Sequence, residues 1–497
     1  MKRKLSLIAV TAILAGLLSG APAALAARDE AVVGLSSLHT SIDPVLANYN
    51  TVSSIGRHIY NTLVDNDIDN NIIPEIATEW TRPDNMTWVF KLDLDSYTFH
   101  NGEPLTMEDV LFSFNRCYDI PQGMSYVQYI ESVEGVGDTL TIHMNRAYNG
   151  LIYDLTGLVI VNEKAVKEAG DNWSQTAVGT GPYKLASFIP SNEVTLERWD
   201  GHPSIQPRLR KITFRAVSDP TSRYIGVENG EFSFVDQISG AGDIQRALSN
   251  TEIDAKVAQT LGIRFMAVNA SKPPFDNPKV REALQYVIDR QSIITLGNGV
   301  DVPANTMVSG PLPQHSDVEI GGLDIEACKA LLAEAGYADG FDTTLWIYSD
   351  SMKSLAEMTQ AVMSMAGIRV TIEQYEVGAF FDLLDKGEHM MLLGSMTLGA
   401  YAAGTLNTYY NSEYFGSSGN FGFYANEEVM ALINKALETM DIDEEIALSR
   451  QVQELVARDN PYYPLTYTST CYATAKNLKG LWFNASGYWD LTYAYIE

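Results

Sequence analysis

The chain has 497 residues, 46% of them hydrophobic and 19% charged, a globular composition too long for one hydrophobic core, so two or three domains are expected. Its 62 acidic against 34 basic residues leave a formal charge of −28. That balance excludes nucleic acid and anionic membrane as partners, because both are held by basic patches.

Lys2-Arg3-Lys4, an apolar stretch from Leu5 to Leu18 and the small-x-small triplet Ala24-Leu25-Ala26 follow the order of a secretory signal, with cleavage expected after Ala26. This segment holds no cysteine, so no lipid anchor is expected, and no later stretch is long and apolar enough to span a bilayer. The chain therefore reads as exported and soluble. Cys117, Cys328 and Cys471 permit at most one internal disulfide. All three sit among apolar residues without zinc or redox spacing, so buried free thiols are expected.

Ala31 to Leu38 reads as a first strand ending in the turn-rich "SIDPVLANYN", and Thr51 to Leu63 as a helix. Trp88, Phe90, Leu92 and Leu94 alternate with polar residues, the period of a half-buried strand. In "FHNGEPLTMEDVLFSFNRC" an Asn-Gly turn precedes Thr106 and Asp109, spaced as a capping box. Leu105 and Val110 are placed as a hydrophobic staple, and Val110, Leu111, Phe114 and Cys117 would face a core. His100 and Glu108 have no local structural task and are left to solvent or a partner.

"VGTGPYKLASF", from Val178 to Phe188, is a Gly-Pro turn feeding a strand, without the Gly-Lys-Ser/Thr of a phosphate loop. Asn277 and Pro278 have the order of a helix N-cap and first turn. Asp324 and Gly336 bracket another helix. Residues 389–426 are rich in Gly, Ser, Asn and Tyr with no helical stripe, and are expected to form a long irregular segment of functional interest. Two helices follow, broken around Asp441 to Asp443, the second stopping at Asn460-Pro461.

Catalytic signatures are absent. No two of the seven histidines are three or four residues apart, so a helical two-histidine metal site is excluded, and there is no nucleophile elbow or Walker A loop. No cofactor, no metal and no catalytic residue is expected. An exported acidic α/β chain without a motor or an active-site motif reads as a solute-binding protein, with two lobes closing on a cleft about a hinge. The different-class alternative is an exported hydrolase whose site is assembled without a motif.

Four segments carry a family resemblance: "FHNGEPLTMEDVLFSFNRC", "VGTGPYKLASF", "VNASKPPFDNPKVREALQYVIDRQSII" and "ACKALLAEAGYADGFDTTL". In order and content they resemble the signature segments of the peptide/nickel class (family 5) of bacterial extracellular solute-binding proteins. The resemblance implies the two-lobed periplasmic-binding-protein fold (type II, the large three-region cluster) with a hinge and an inter-lobe cleft. After a signal peptide at 1–26, lobe I would span 27–262 with an inserted subdomain at about 53–166. Lobe II would span 263–477, and 478–497 would return to lobe I, the crossings falling near Gly262 to Val268 and Cys471 to Leu481. It further implies a monomeric periplasmic receptor that delivers a small solute, a short peptide or peptide-like compound, to an inner-membrane ABC permease. A nickel-type metal chelate and an oligosaccharide are the alternative ligands.

In the family's peptide binders an aspartate in the second lobe meets the ligand's α-amino group. The matching stretch here, Gly394 to Asn407, has no acidic residue, and none lies between Glu388 and Glu413. A buried ammonium needs a counter-charge, so an acid from elsewhere, such as Glu413 or Asp43, is required. The residues expected to line the cleft are His39, Tyr49 and Asn50 on the first lobe and Tyr401, Asn407 and Tyr409 on the second. Trp489 and Arg264 are expected beside the hinge, and His39 is the histidine that a metal chelate would use. Tyrosine suits such walls because it offers an apolar face and a polar tip.

Overall fold

Two long antiparallel strands, Ile253–Val268 and Tyr462–Ala475, pair through the middle of an eleven-stranded mixed sheet. The computed structural model describes residues 29–47 and 49–497; the expected signal peptide at 1–26 lies outside them. Spatially the sheet runs Ile368–Gln374, Phe341–Ile347, Met391–Thr397, Ile253–Val268, Tyr462–Ala475, Phe234–Ile238, Glu30–Leu35, Lys211–Ala216, Glu193–Arg198 and Tyr183–Ile189, with Val302–Pro303 added to the second long strand. Both long strands therefore serve both ends of the molecule.

The side chains sort into separate cores along these strands. Beside Glu30–Leu35, Ala31, Val33 and Leu35 pack with Phe214, Phe234 and the four-stranded sheet of Ala77–Asp84, Thr87–Leu92, Ile130–Val136 and Thr139–Met144. At the other end alternate residues divide between two faces. Ile263, Phe265 and Ala267 enter one core with Trp346 and Leu392, while Met266 and Val268 enter another with Leu345 and Leu393. Period-two alternation with both faces apolar is what a doubly covered strand requires. The cores change over between Ala255 and Leu261 on one long strand and between Tyr467 and Cys471 on the other. At this point the pairing register shifts between Gln259 and Ile263. Thr260 and Thr468 bridge the irregularity through their hydroxyls at 2.8 Å.

The segment Phe99 to Phe114 folds as its pattern dictates. Thr106 caps the helix Met107–Tyr118 in a reciprocal box with Asp109, and Val110, Phe114 and Cys117 are buried. His100 does have a structural task, contrary to expectation, and the task is long-range. Its Nε2–H donates to the Gly181 carbonyl at 2.9 Å and its Nδ1 accepts from the Gly179 N–H. Burial pushes its pKa down to about 4, keeping the ring neutral with the proton on Nε2. The Gly-Pro turn is in turn pressed onto the end of the helix Asn50–Ile59. A Cβ on Gly179 would lie 2.1 Å from the Ile59 carbonyl oxygen, and one on Gly181 2.6 Å from the Ile59 carbonyl carbon. Two of the segments that carry the resemblance are thus one structural unit.

Residues 389–426 depart from expectation. They contain the sheet strand Met391–Thr397 and the helix Ala402–Tyr410, followed by two short 3-10 turns. The helix shows no apolar stripe because it is buried on nearly all sides, Ala402, Ala403, Leu406, Tyr409 and Tyr410 included. An amphipathic pattern appears only where one face meets water. All three cysteines are free and buried.

Asp43, expected to be a candidate counter-charge for a ligand, is spent on the fold. It is 0% exposed and takes both guanidinium nitrogens of Arg116, at 2.8 and 2.9 Å, together with the Trp173 indole N–H at 2.7 Å. The pair ties the turn "SIDPVLANYN" to the subdomain helix. Breaking a buried pair strands the remaining charge, so Asp43→Asn is expected to cost about 3–5 kcal/mol. Urea denaturation checks this, and adding Arg116→Met to Asp43→Asn should recover part of the loss.

Candidate functional site

The core change-over leaves a cavity of about 430 Å³ beside Leu261, Thr397 and Leu398, within the usual range for small-molecule sites. Its first wall comes from the helix Asn50–Ile59, the hairpin at 64–74 and the C-terminal return: Asn50, Asn66, Asn70, Ser486 and Tyr488. Asn70 adopts φ 62°, a left-handed conformation that asparagine tolerates. Its Oδ1 gathers donors from Asn66, Asn484 and Ser486 at 3.1–3.2 Å, which pins the C-terminal loop to the hairpin. Asn50 donates to the Ser486 carbonyl at 3.0 Å. This wall is an interlocked set of amides with little freedom to rearrange.

The stretch 128–156 supplies Gln128, Tyr129, Tyr148, Tyr153, Asp154 and Thr156. The opposite wall is the loop Thr397 to Ala400 with the helix Ala402–Tyr410 and its N-cap Tyr401. Tyr401 joins the two sides: its ring stacks on Tyr153 at 5.5 Å and 17° and meets Tyr148 edge-on at 5.8 Å. The backbone reinforces this contact where the Asn149 N–H donates to the Leu437 carbonyl at 3.3 Å. The two sides therefore touch beside the cavity, through the Tyr401 rings and the Asn149–Leu437 backbone bond.

Of the residues expected from sequence, Asn50, Tyr401, Asn407 and Tyr409 line the cavity. His39 and Tyr49 do not. They stack on each other at 3.8 Å and 2°, with Tyr49 55% exposed. Trp489 is 2% exposed and sits in the first-lobe core against Phe214 and Phe234. There its backbone N–H donates to Ser54 and fastens the C-terminal return to the helix Asn50–Ile59. Arg264 pairs with Asp301. Glu413 is exposed and borders a separate depression with Arg146.

Asp154 is the residue that sequence reasoning missed. Among the described residues lining the cavity it is the one acid, and no Arg, Lys or His is present. Burial pushes its carboxyl up to about 8, opposed by a hydrogen bond from Tyr148. Tyr401 and Tyr148 are held well above the ordinary phenol range, chiefly by burial. The Tyr401 hydroxyl is buried without a hydrogen-bond partner among the described residues. A signal for Asp154 did exist: it is the lone charge in the run Leu151-Ile152-Tyr153-Asp154-Leu155, preceded by Tyr148 and Tyr153. Among the described residues no group of three or more His, Cys, Asp or Glu is placed to hold a metal ion.

Comparison with known proteins agrees with this fold. The family model described as bacterial extracellular solute-binding proteins, family 5 Middle, matches residues 71–422. The glutathione-binding protein GsiB of Salmonella typhi is 27% identical over 485 residues, covering 92% of this chain and 93% of its own. The structure of HbpA2 from Haemophilus parasuis superposes with a TM-score of 0.87 at 21% identity, over 94% of this chain and 100% of that one. The periplasmic binding protein DppA from Helicobacter pylori, in complex with the peptide STSA, does so with a TM-score of 0.75 at 24% identity, over 94% and 98%. With most of its length matched by the family model, the chain belongs to family 5 of the bacterial extracellular solute-binding proteins.

Proposed function

We propose that the chain is the periplasmic receptor of an ABC importer, capturing a small peptide-like solute between its lobes and delivering it to an inner-membrane permease without turning it over. The observation that carries this reading is the cavity at the strand crossing, closed by the Tyr401 contact and lined by amides and tyrosines. Such a lining meets peptide-like groups, since amides both donate and accept while tyrosine rings cover apolar surface. The names of the relatives point the same way, one to glutathione and one to a bound peptide. On this reading residues 1–26 are removed on export, the lobes exchange at the crossings of the long strands, and the receptor acts as a monomer. A nickel chelate gains no support, since His39 does not line the cavity.

Glutathione itself fits this lining poorly. It carries two carboxylates, and the described lining residues offer no cation to meet them. Native mass spectrometry of protein purified from its host tests the function: a small molecule released only on unfolding is expected. Turnover of peptides with no retained solute would favour the hydrolase alternative.

Two variants probe the cavity. Tyr401→Ala removes a stacked and an edge-on aromatic contact, each worth about 0.5–1.5 kcal/mol. Affinity for the retained solute should weaken at least about tenfold, as measured by titration calorimetry. Tyr409→Phe should change it little, because that hydroxyl meets only the Met396 sulfur among the described residues, at 3.0 Å.

Asp154→Asn should stabilise the solute-free protein. A carboxyl at about 8 in the folded state, against 3.8 ordinarily, holds its proton while the unfolded chain releases it. The native acid therefore opposes folding increasingly as pH rises between those values. The variant's gain in thermal stability should vanish near pH 4, grow upward and level off above pH 8, which scanning calorimetry across pH will show.

A further inference from the structure

We infer that the solute places an organic cation, an amine head, against Asp154 and the tyrosines around it, and carries no free carboxylate inside the cavity; this rests on the receptor reading above. A cavity that encloses its ligand must neutralise whatever charge it encloses, because a buried unpaired ion is costly. Here the described lining holds one carboxylate and no cationic side chain. The interlocked amides of the first wall stabilise a carboxylate only as neutral donors, and Asp154 in its ionised form repels it.

The surroundings of Asp154 favour a cation over a neutral polar group. Tyr148 lines the cavity beside it. Tyr129 packs against Tyr148 at 4.4 Å, and Tyr153 and Tyr401 form the neighbouring stack. Ring faces carry negative potential and attract ammonium groups. The buried Tyr401 oxygen, unpartnered among the described residues, can accept an ammonium N–H. Arg82 and Glu445 border a separate depression that shares the Tyr153 and Tyr401 rings. Arg82 is engaged there with Asn149 and the Trp88 ring, and Glu445 with Gln314 and Ser449. A metal ion would need several ligands, whereas one carboxylate and aromatic faces suit an amine.

The test presents the unmutated protein, freed of retained solute by unfolding and refolding, with three mixtures. These are random dipeptides, the same dipeptides amidated at the C-terminus, and the same dipeptides acetylated at the N-terminus. Native mass spectrometry and titration calorimetry read what binds. The amidated set should bind at least about tenfold more tightly than the free set, and the acetylated set should not bind. Asp154→Asn should abolish the preference for the amidated set. Acetylated peptides binding as well as amidated ones, a preference for the free set, or an Asp154→Asn variant that keeps its selectivity would overturn the inference. If no peptide set binds, the peptide reading fails on its own, and a panel of arylalkylamines then decides the charge rule. Binding that Asp154→Asn removes upholds the rule, and no amine binding ends it.

Discussion

The antiparallel pairing of Ile253–Val268 with Tyr462–Ala475 is interrupted between Gln259 and Ile263, and the cavity opens beside that interruption. On either side the strands are clamped into different cores by alternate side chains. At the change-over the backbone has fewer ladder bonds and the bridging contacts are hydroxyls, Thr260 to Thr468. Rotation of one lobe against the other is cheapest where the fewest packed contacts must change. Leu261 stands at the same place and lines the cavity, so on the proposed receptor reading motion at the crossing would reach the cavity wall directly.

Rigidity elsewhere makes that local freedom useful. The neutral His100 ring, the two close-packed glycines and the end of the helix Asn50–Ile59 form one block. The C-terminal return is fixed to the same helix through Ser54 and His58, which accept the Trp489 and Leu491 backbone N–H groups. Asn50 stands on this helix and reaches the cavity from it. The first wall is therefore anchored by contacts outside the cavity, and its amides are held in place without a solute. Preorganised polar groups lose less entropy on binding than mobile ones.

What was legible in the sequence followed local chemistry. The Thr106 box, the Asn277 and Asp324 N-caps and the left-handed Asn460 stop each depend on residues within one turn, so spacing alone reveals them. The helix Ala402–Tyr410 escaped because burial on nearly all sides erases the stripe that betrays a surface helix. His100 looked idle because its partners lie about eighty residues on. Tyr401, Asn407 and Tyr409 stood out by composition and do line the cavity, whereas His39 and Tyr49 stood out equally and do not. Loop composition suggests a binding role, but only topology says which loops face each other.

With no acid between Glu388 and Glu413, a counter-charge must come from other elements, and the fold eliminates the two obvious substitutes. Asp43 cannot leave Arg116 without stranding it, and Glu413 lies in another depression. Asp154 remains, on the inserted subdomain across the cleft from the stretch where the family's pattern would place an acid. On the proposed receptor reading its position would couple recognition to closure. With the lobes apart, water can solvate the carboxylate; with Tyr401 stacked on Tyr153, water is displaced and the charge must be protonated or paired. A cationic head removes that penalty only in the closed form, so its interaction free energy differs between the two states. Such a difference is what a ligand needs to shift a conformational equilibrium. A neutral solute of the same shape would gain the aromatic contacts but leave the carboxylate unpaired, and would close the lobes less completely.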